Sequence, residues 1–512
     1  MTFNPPCYTP ALSFHSCSPI SETRTIISNA FKRRGLVPST SRDKRCIFQW
    51  APRSRVTFNR AHSNTLLTSS FFINQGLTHK DRLFAAHSEA GSNISWAVPK
   101  TYTIPPHATA DELIEIVCGI VMQHREDASA STSTSSPSPT TSGWILKQSQ
   151  VNNALGLVIF QDLEDLVRRL EQAQDSSFAK CSTKSVLQEY VVCPLLLNGC
   201  KFHLRVNVLV TGGDLSTNDK AADDNSTTVT SGPDSSDSPD SPDSPASSTS
   251  SRLQYKPHGF VHRDIVAHVA TENYIAAEWD NRWIHVTNHG VQKEHPRYDR
   301  SKQTLSLLEL ETALVNEYGK QWLGCSEHFL KQASTVVREV LSTSVERPGD
   351  FRPMSNSFEL FGFDFLPKAL QETLVEDTSG SEEFVPFRLQ LLEVNGGPAL
   401  EGVARPDLCL KIVEDVMKIV VDPFLKKCYK HVEEVEEVEE AEEEAAEAEE
   451  GTEGKGFSHG TEFVKVWERG CLTQETCEHT FQIPRLASNK MEIFGVKIIK
   501  YLQENNDSSE ED

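Results

Sequence analysis

Apolar and polar positions run through this chain in short blocks, and the changes of period mark its elements. Trp144-Ile145-Leu146-Lys147 and Leu157-Val158-Ile159-Phe160 are apolar runs of strand length. Val186–Val191, Lys201–Val210 and Gly259–His262 read the same way, and Phe358–Phe365 and Phe387–Val394 are the strongest strands. Helical spacing lies between them. From Asp111 to Gln123, Leu113, Ile114, Ile116, Val117, Ile120 and Val121 share one face behind an Asp suited to a helix start. Asp162–Ala173, Thr304–Glu317, Glu327–Leu341 and Asp407–Val421 are predicted as helices on the same ground. Interleaved strands and helices without an internal repeat give an α/β or α+β fold.

The pattern breaks in three places. Residues 127–142 are nearly all Ser, Thr, Pro and Ala, and 212–252 repeat Asp-Ser-Pro units; neither supports a core, so both are expected as disordered inserts. The third break is acidic. Glu433–Glu450 holds 12 glutamates and no basic residue, more than half of a formal net charge of −22. Its simplest reading is a solvated, partly helical stretch. The first 60 residues are the opposite, with ten Lys or Arg against two acids. Overall acidity excludes nucleic acid as the main partner, while the basic beginning suits an acidic one.

Twelve cysteines without a CxxC pair read as reduced thiols, neither a disulfide frame nor a zinc site. No apolar stretch reaches membrane-spanning length, so no membrane association is expected. The Arg- and Ser-rich, acid-poor beginning has the composition of an organellar transit peptide.

Candidate chemistry sits at strand ends. Phe361-Gly362-Phe363-Asp364 and Glu393-Val394-Asn395-Gly396-Gly397-Pro398 each place a carboxylate on an otherwise apolar strand. Burying a carboxylate is costly unless it is paired or meets a cation. Glu393 and Asn395 are two apart and share a strand face. With Asp364 they make an oxygen set of the kind Mg²⁺ takes, phosphate oxygens and water completing the shell. Either motif alone reads sooner as a strand entering a turn; the two together favour the metal. Lys147, Lys201, Arg205 and Arg263 are the complementary cations, suited to phosphate and carboxylate, though each is also an ordinary strand-edge residue.

Six segments in order carry a resemblance: Trp144–Lys147, Gln188-Glu189-Tyr190, Lys201-Phe202-His203-Leu204-Arg205, Thr287–Lys293, Phe361–Asp364 and Glu393–Pro398. Over about residues 25–425 the chain resembles the tubulin-tyrosine-ligase-like family of the ATP-grasp superfamily. The resemblance implies an α+β, ATP-grasp fold. Its layout would be a disordered 1–24, a pre-ATP-grasp subdomain 25–105 and a catalytic region 106–425 carrying both inserts. An acidic insert 426–456, a C-terminal segment 457–505 and an acidic tail 506–512 would follow.

The resemblance also implies roles. Lys147 and Lys80 would meet phosphates, Gln188, Glu189, Tyr190 and Val191 the adenine, and Lys201, Thr287 and Asn288 other parts of ATP. Asp364, Glu393 and Asn395 would hold Mg²⁺. Arg205 and Arg263 would be catalytic, holding the acyl-phosphate and the incoming amino acid. Arg405 and Lys411 are acceptor-side candidates by position alone. The implied activity is ligation of an amino acid, glutamate or tyrosine with glutamate favoured, to a protein carboxylate. Its partners would be a free amino acid and the acidic C-terminal tail of tubulin, in a cytoplasmic, cytoskeleton-associated setting. Ala30–Leu36 resembles the family's early helix ending in Arg-Gly, which argues against a transit peptide.

Three positions depart from the family's pattern. The loop Gln148–Gly156, with Asn152-Asn153-Ala154 at its centre, holds one glycine and no cation. His203 stands where the family has Asp, and His268 where it often has Arg. These departures make a weakened or inactive protein that still binds tubulin or microtubules the alternative reading.

Overall fold

A computed structural model describes residues 12–17, 21–43, 45–62, 66–88, 92–107, 109–131, 143–150, 157–172, 181–212, 257–370, 386–397, 400, 406–426 and 461–468. These form helices on three sheets. The first sheet contains β1 (Ser13–Ser16), β2 (Val37–Pro38), β3 (Cys46–Trp50) and β4 (Leu67–Thr68), parallel and in the order β2-β1-β3-β4. The second contains β5 (Thr101–Ile104), β6 (Trp144–Gln148), β7 (Leu157–Phe160) and β8 (Ser185–Glu189), antiparallel and in the order β5-β8-β6-β7.

The third sheet is central, with eight strands: β9 (Leu196–Leu197), β10 (Cys200–Thr211), β11 (His258–His262), β12 (Val266–Asn273), β13 (Thr304–Ser306), β14 (Phe358–Ala369), β15 (Phe387–Gly396) and β16 (Phe463–Glu468). Strand β10 organises it. One edge pairs with β14, which carries β15; the other pairs first with β12 and then with β11.

Alternation along β10 explains how the sheet is covered. Phe202, Leu204, Val206, Val208 and Val210 enter a core built with helices Lys80–Ser88, Leu307–Tyr318 and Cys325–Val345. On the opposite face, Leu209 with Phe358 and Leu360 of β14 packs against helix Pro406–Val416 and the π-helical turn Met417–Val421. Lys201, His203 and Arg205 share that opposite set of positions. A separate core of Leu113, Val117, Val121, Leu146, Leu166 and Leu187 backs the second sheet. No helix among the described residues is long and apolar enough to cross a membrane.

Several expectations need correction. Part of 1–24 is ordered, because it supplies β1 and the start of helix Ser21–Lys32. Strand β5, expected in the N-terminal subdomain, belongs to the second sheet. Helix Ala110–Ser131 runs into the expected insert 127–142, since an established helix extends through Ala and Ser at little cost. Thr304–Ser306 is a strand and the helix starts at Leu307, where Ser306 and Glu309 form a capping box. Strand β12 was not anticipated, because His268, small alanines and a polar end blur its alternation. Gly212 donates its N–H to the Ser357 carbonyl at 2.8 Å; most of insert 212–252 and the run Glu433–Glu450 lie outside the described residues. Beyond that run the chain returns, and Phe463-Val464-Lys465-Val466-Trp467-Glu468 pairs as β16 with β11.

Candidate active site

A cleft lies between the second and central sheets. From the second come Ile145, Lys147, Gln148, Leu157 and Gln188–Val191; from the central sheet, Lys201, His203, Asp364, Leu366, Leu392 and Glu393. Lys80 and the segment His285–Asn288 complete the lining.

The carboxylates meet because of sheet register. On β14 and β15, Asp364 and Glu393 are opposite each other, as are Gly362 and Asn395. The Asn395 amide nitrogen donates to Asp364 Oδ2 at 3.1 Å and to Glu393 Oε1 at 3.2 Å. Arg205 lies opposite Asp364 on β10 and binds it through two N–H groups, one of them Nη2 at 2.9 Å from Oδ2. Lys80 Nζ is 3.0 Å from Glu393 Oε2. The three expected metal ligands are thus one cluster held between two cations.

Electrostatics follow from this crowding. Burial pushes the Glu393 carboxyl upward, yet Lys80 and Lys147 outweigh it and hold the group at about 2. Burial pulls Lys147 down to about 8 against the attraction of Glu393 and Asp364. Burial, reinforced by Lys147, takes Lys201 down to about 7. Lys80, Lys147 and Lys201 line the cleft, and Arg205 stands beside Asp364, against the carboxylates of Asp364, Glu393 and Glu189; an anionic ligand would favour the charged forms of Lys147 and Lys201.

Each lysine is aimed by hydrogen bonds. Lys147 Nζ donates to Gln188 Oε1 at 2.7 Å, and Gln188 Nε2 donates to Thr101 Oγ1 at 2.9 Å. Lys201 Nζ donates to the Tyr190 hydroxyl at 2.8 Å and lies 4.5 Å from its ring centre. The tautomer beyond it follows by elimination. His285 Nε2 is 3.0 Å from the Glu278 carbonyl, which only accepts, so Nε2 carries the proton. Nδ1 then accepts from Tyr190 at 2.7 Å, leaving the Tyr190 oxygen to receive Lys201. Sequence reasoning gave Tyr190 only a backbone role and missed Thr101 and His285; no local signal pairs residues so far apart.

Other backbone groups of the hinge are committed. The Glu189 N–H binds Lys100 O at 2.8 Å and the Tyr190 N–H binds Gly143 O at 2.8 Å. The Val191 N–H has no partner among the described residues. Thr287 Oγ1 is 2.6 Å from His203 Nδ1, while Asn288 accepts from the Gly290 N–H at 2.7 Å as a helix cap.

The two departures on β10 and β12 turn out to be neighbours. His203 and His268 are cross-strand partners with ring centres 5.0 Å apart. Burial holds His203 neutral, down to about 4, and lowers His268 well below its usual range.

Arg263 is not brought into the cleft. It follows β11, is 40% exposed, and has Glu327 at 3.5 Å. Lys411 pairs with Asp264 at 2.8 Å, on that same side of the molecule, and Arg405 lies outside the described residues.

Among the described residues no three His, Cys, Asp or Glu side chains converge as a metal cluster. Two carboxylates and one amide fit a Mg²⁺ ion that takes its remaining ligands from phosphate and water. A half-turn of the Asn395 amide would offer its oxygen in place of its nitrogen.

Comparison with known proteins bears on the same segments. The profile of the Tubulin-tyrosine ligase family matches residues 69–216 and 258–428, more than half of the chain. A tubulin glycylase, 3C, of Tetrahymena thermophila is 20% identical over 290 residues, 56% of this chain and 21% of that protein. The probable tubulin polyglutamylase TTLL2 of Homo sapiens is 22% identical over 283 residues, 54% of this chain and 35% of that protein. A probable tubulin–tyrosine ligase of Schizosaccharomyces pombe is 21% identical over 444 residues, 79% of this chain and 90% of that protein. The chain thus spans between a fifth and two fifths of the first of these relatives, and nearly all of the yeast one. With the family profile lying across both sheets of the cleft, the chain belongs to the tubulin-tyrosine ligase family.

Proposed function

We propose that the cleft binds Mg·ATP in an ATP-grasp arrangement, and that the protein is a ligase joining an amino acid to a protein carboxylate, with tubulin as acceptor. The observation that carries this is the cluster Lys80–Glu393–Asn395–Asp364–Arg205 beside the buried lysines Lys147 and Lys201. That combination suits a polyphosphate with its cation and suits little else in the charge balance of the cleft. The Val191 N–H, without a partner among the described residues, is a donor for an adenine ring nitrogen.

The residues then have distinct work. Lys147 and Lys201 neutralise phosphate charge, and Asp364, Glu393 and Asn395 would hold Mg²⁺, whose part is to draw phosphate oxygens together and stabilise their charge. An acceptor carboxylate oxygen attacks the γ-phosphorus and ADP leaves. The amine then attacks the acyl carbon of the resulting acyl-phosphate, phosphate departs and the amine loses a proton. Arg205, fixed by Asp364, faces the negative charge that develops at transfer. No protein nucleophile enters either step. Glutamate is the favoured amino acid, and tyrosine is the competing choice.

The His203–His268 pair favours a second reading. Two neutral imidazoles replace charged side chains beside Arg205, which leaves a protein that binds tubulin and nucleotide with little ligation. ATP turnover with purified tubulin and a panel of free amino acids separates the readings, with Asp364→Asn/Glu393→Gln as blank. Amino-acid-dependent turnover lost in the blank supports the ligase. Mg·ATP binding without turnover moves the assignment to the binding protein, and absence of both overturns the nucleotide cleft.

A further inference from the structure

We propose that Glu359 is a positioning residue: it anchors the Phe71–Lys80 arm to the central sheet and so delivers the Lys80 ammonium to the carboxylate pair. This rests on the nucleotide cleft described above and adds a residue outside it.

Glu359 lies on β14, five residues before Asp364, and is 3% exposed. Positions alternate along this strand: Phe361, Phe363 and Phe365 enter one core, Phe358 and Leu360 the other. Glu359 therefore faces away from Asp364 and cannot enter the cleft itself. Both its oxygens are taken by the arm. Oε2 accepts from the Phe71 N–H at 2.9 Å and Oε1 from Asn74 Nδ2 at 2.8 Å. Burial pushes its carboxyl up to about 7 despite these bonds. A buried carboxylate without a salt-bridge partner among the described residues is costly, and an apolar residue would fill the position at less cost.

The arm shows what the carboxylate achieves. The Asn74 carbonyl accepts from the Leu77 and Thr78 N–H groups at 3.1 and 3.2 Å, heading the short helix Gln75–Thr78. An Asn at this position ordinarily caps its own helix; here its side chain makes no cap and goes to Glu359 instead. The helix then presses on β15 at Gly396, where a Cβ would stand 3.0 Å from Thr78 Cγ2 and 3.4 Å from Glu359 Oε1. Two residues on, Lys80 reaches Glu393 at 3.0 Å. Within the described residues β15 pairs only with β14, so the arm meets both faces of the sheet at its edge strand. Glu359 holds one end of the arm and Glu393 receives the other.

The test uses the full chain with Glu359→Gln, Asn74→Ala, Lys80→Ala and the double variant Glu359→Gln/Lys80→Ala. Two readouts are taken: hydrogen exchange of peptides covering 71–80 without nucleotide, and Mg·ATP binding by calorimetry. The expected result is exchange over 71–80 at least about tenfold faster in Glu359→Gln and Asn74→Ala, with the rest of the central sheet unchanged. Each single variant should weaken Mg·ATP by about tenfold, and Lys80→Ala should cost less than about twofold more in the Glu359→Gln background. Unchanged exchange over 71–80, unchanged binding, or penalties that multiply would overturn the proposal. Should Glu359→Gln fail to fold, Asn74→Ala, which removes one bond and no charge, decides it. Should the wild type bind no Mg·ATP, the nucleotide cleft falls while the exchange readout still judges Glu359.

Discussion

At the scale of single residues, the cleft is a problem of charge. Glu393 is held at about 2 by Lys80 and Lys147 against its burial, so it stays ionised across any physiological pH. Glu393→Gln removes that charge while keeping the shape. It should weaken Mg²⁺-dependent nucleotide binding on the order of a hundredfold, measured by titrating Mg²⁺ at fixed ATP. Full Mg²⁺ dependence in this variant would remove the metal assignment. Lys147 at about 8 and Lys201 at about 7 make the opposite case. Both lie below the ordinary 10.5, so between pH 7 and 10 the unfolded chain binds more protons than the folded one, and their share of stability grows as pH rises. A polyphosphate reverses the shift by favouring the charged forms. Mg·ATP binding near pH 8 should therefore take up protons, and affinity should fall as pH rises from about 7 to 10. Calorimetry in buffers of different ionisation enthalpy measures the uptake; proton release would contradict the assignment.

At the scale of elements, close approach between arm and sheet sets the tolerance. Gly396 belongs to the Asn-Gly-Gly turn whose glycines read from the sequence as turn residues alone. The packing gives Gly396 a second reason, because a Cβ there would stand only 3.0 Å from Thr78 Cγ2 and would press on the arm. Gly396→Ala should cost about 1–3 kcal/mol by urea unfolding and should loosen Mg·ATP binding through Lys80. A neutral effect would show that the arm yields freely. The capping box at Ser306 and Glu309 is a case where sequence had the signal and the longer helical pattern hid it. Ser306→Ala should cost about 1 kcal/mol and leave the cleft unaffected, as thermal melts and nucleotide titration can tell together.

At the scale of the molecule, the central sheet is completed from far along the chain. Phe463 and Trp467 are 5% and 6% exposed, and Trp467 enters the same core as Val210 and Leu341. The Glu462 carbonyl accepts from the Arg263 N–H at 3.0 Å, and its N–H donates to Asp415 at 3.0 Å. Trp467→Ala should cost about 3–5 kcal/mol, and ending the chain at Lys426 should expose the β11 edge and promote aggregation. Deleting 433–450 should change the thermal midpoint little, since a stretch with 12 glutamates has too little apolar surface to build a core. A large loss from that deletion would give the acidic run a structural role.

What the sequence determined by itself was local. Trp144–Lys147, Gln188–Glu189, Lys201–Arg205, Phe361–Asp364 and Glu393–Asn395 were legible because strand period, turn glycines and lone carboxylates all act within a few residues. The family's motifs could be read in order for the same reason. What only the tertiary structure decided was adjacency. Register set Asp364 opposite Glu393 and Arg205 opposite Asp364, and made neighbours of His203 and His268. It sent Arg263 outward, brought Tyr190 to His285, and returned β16 across the acidic run. Period specifies which face a residue takes, but pairing partners are chosen by the burial of whole faces against one another, which no short window contains.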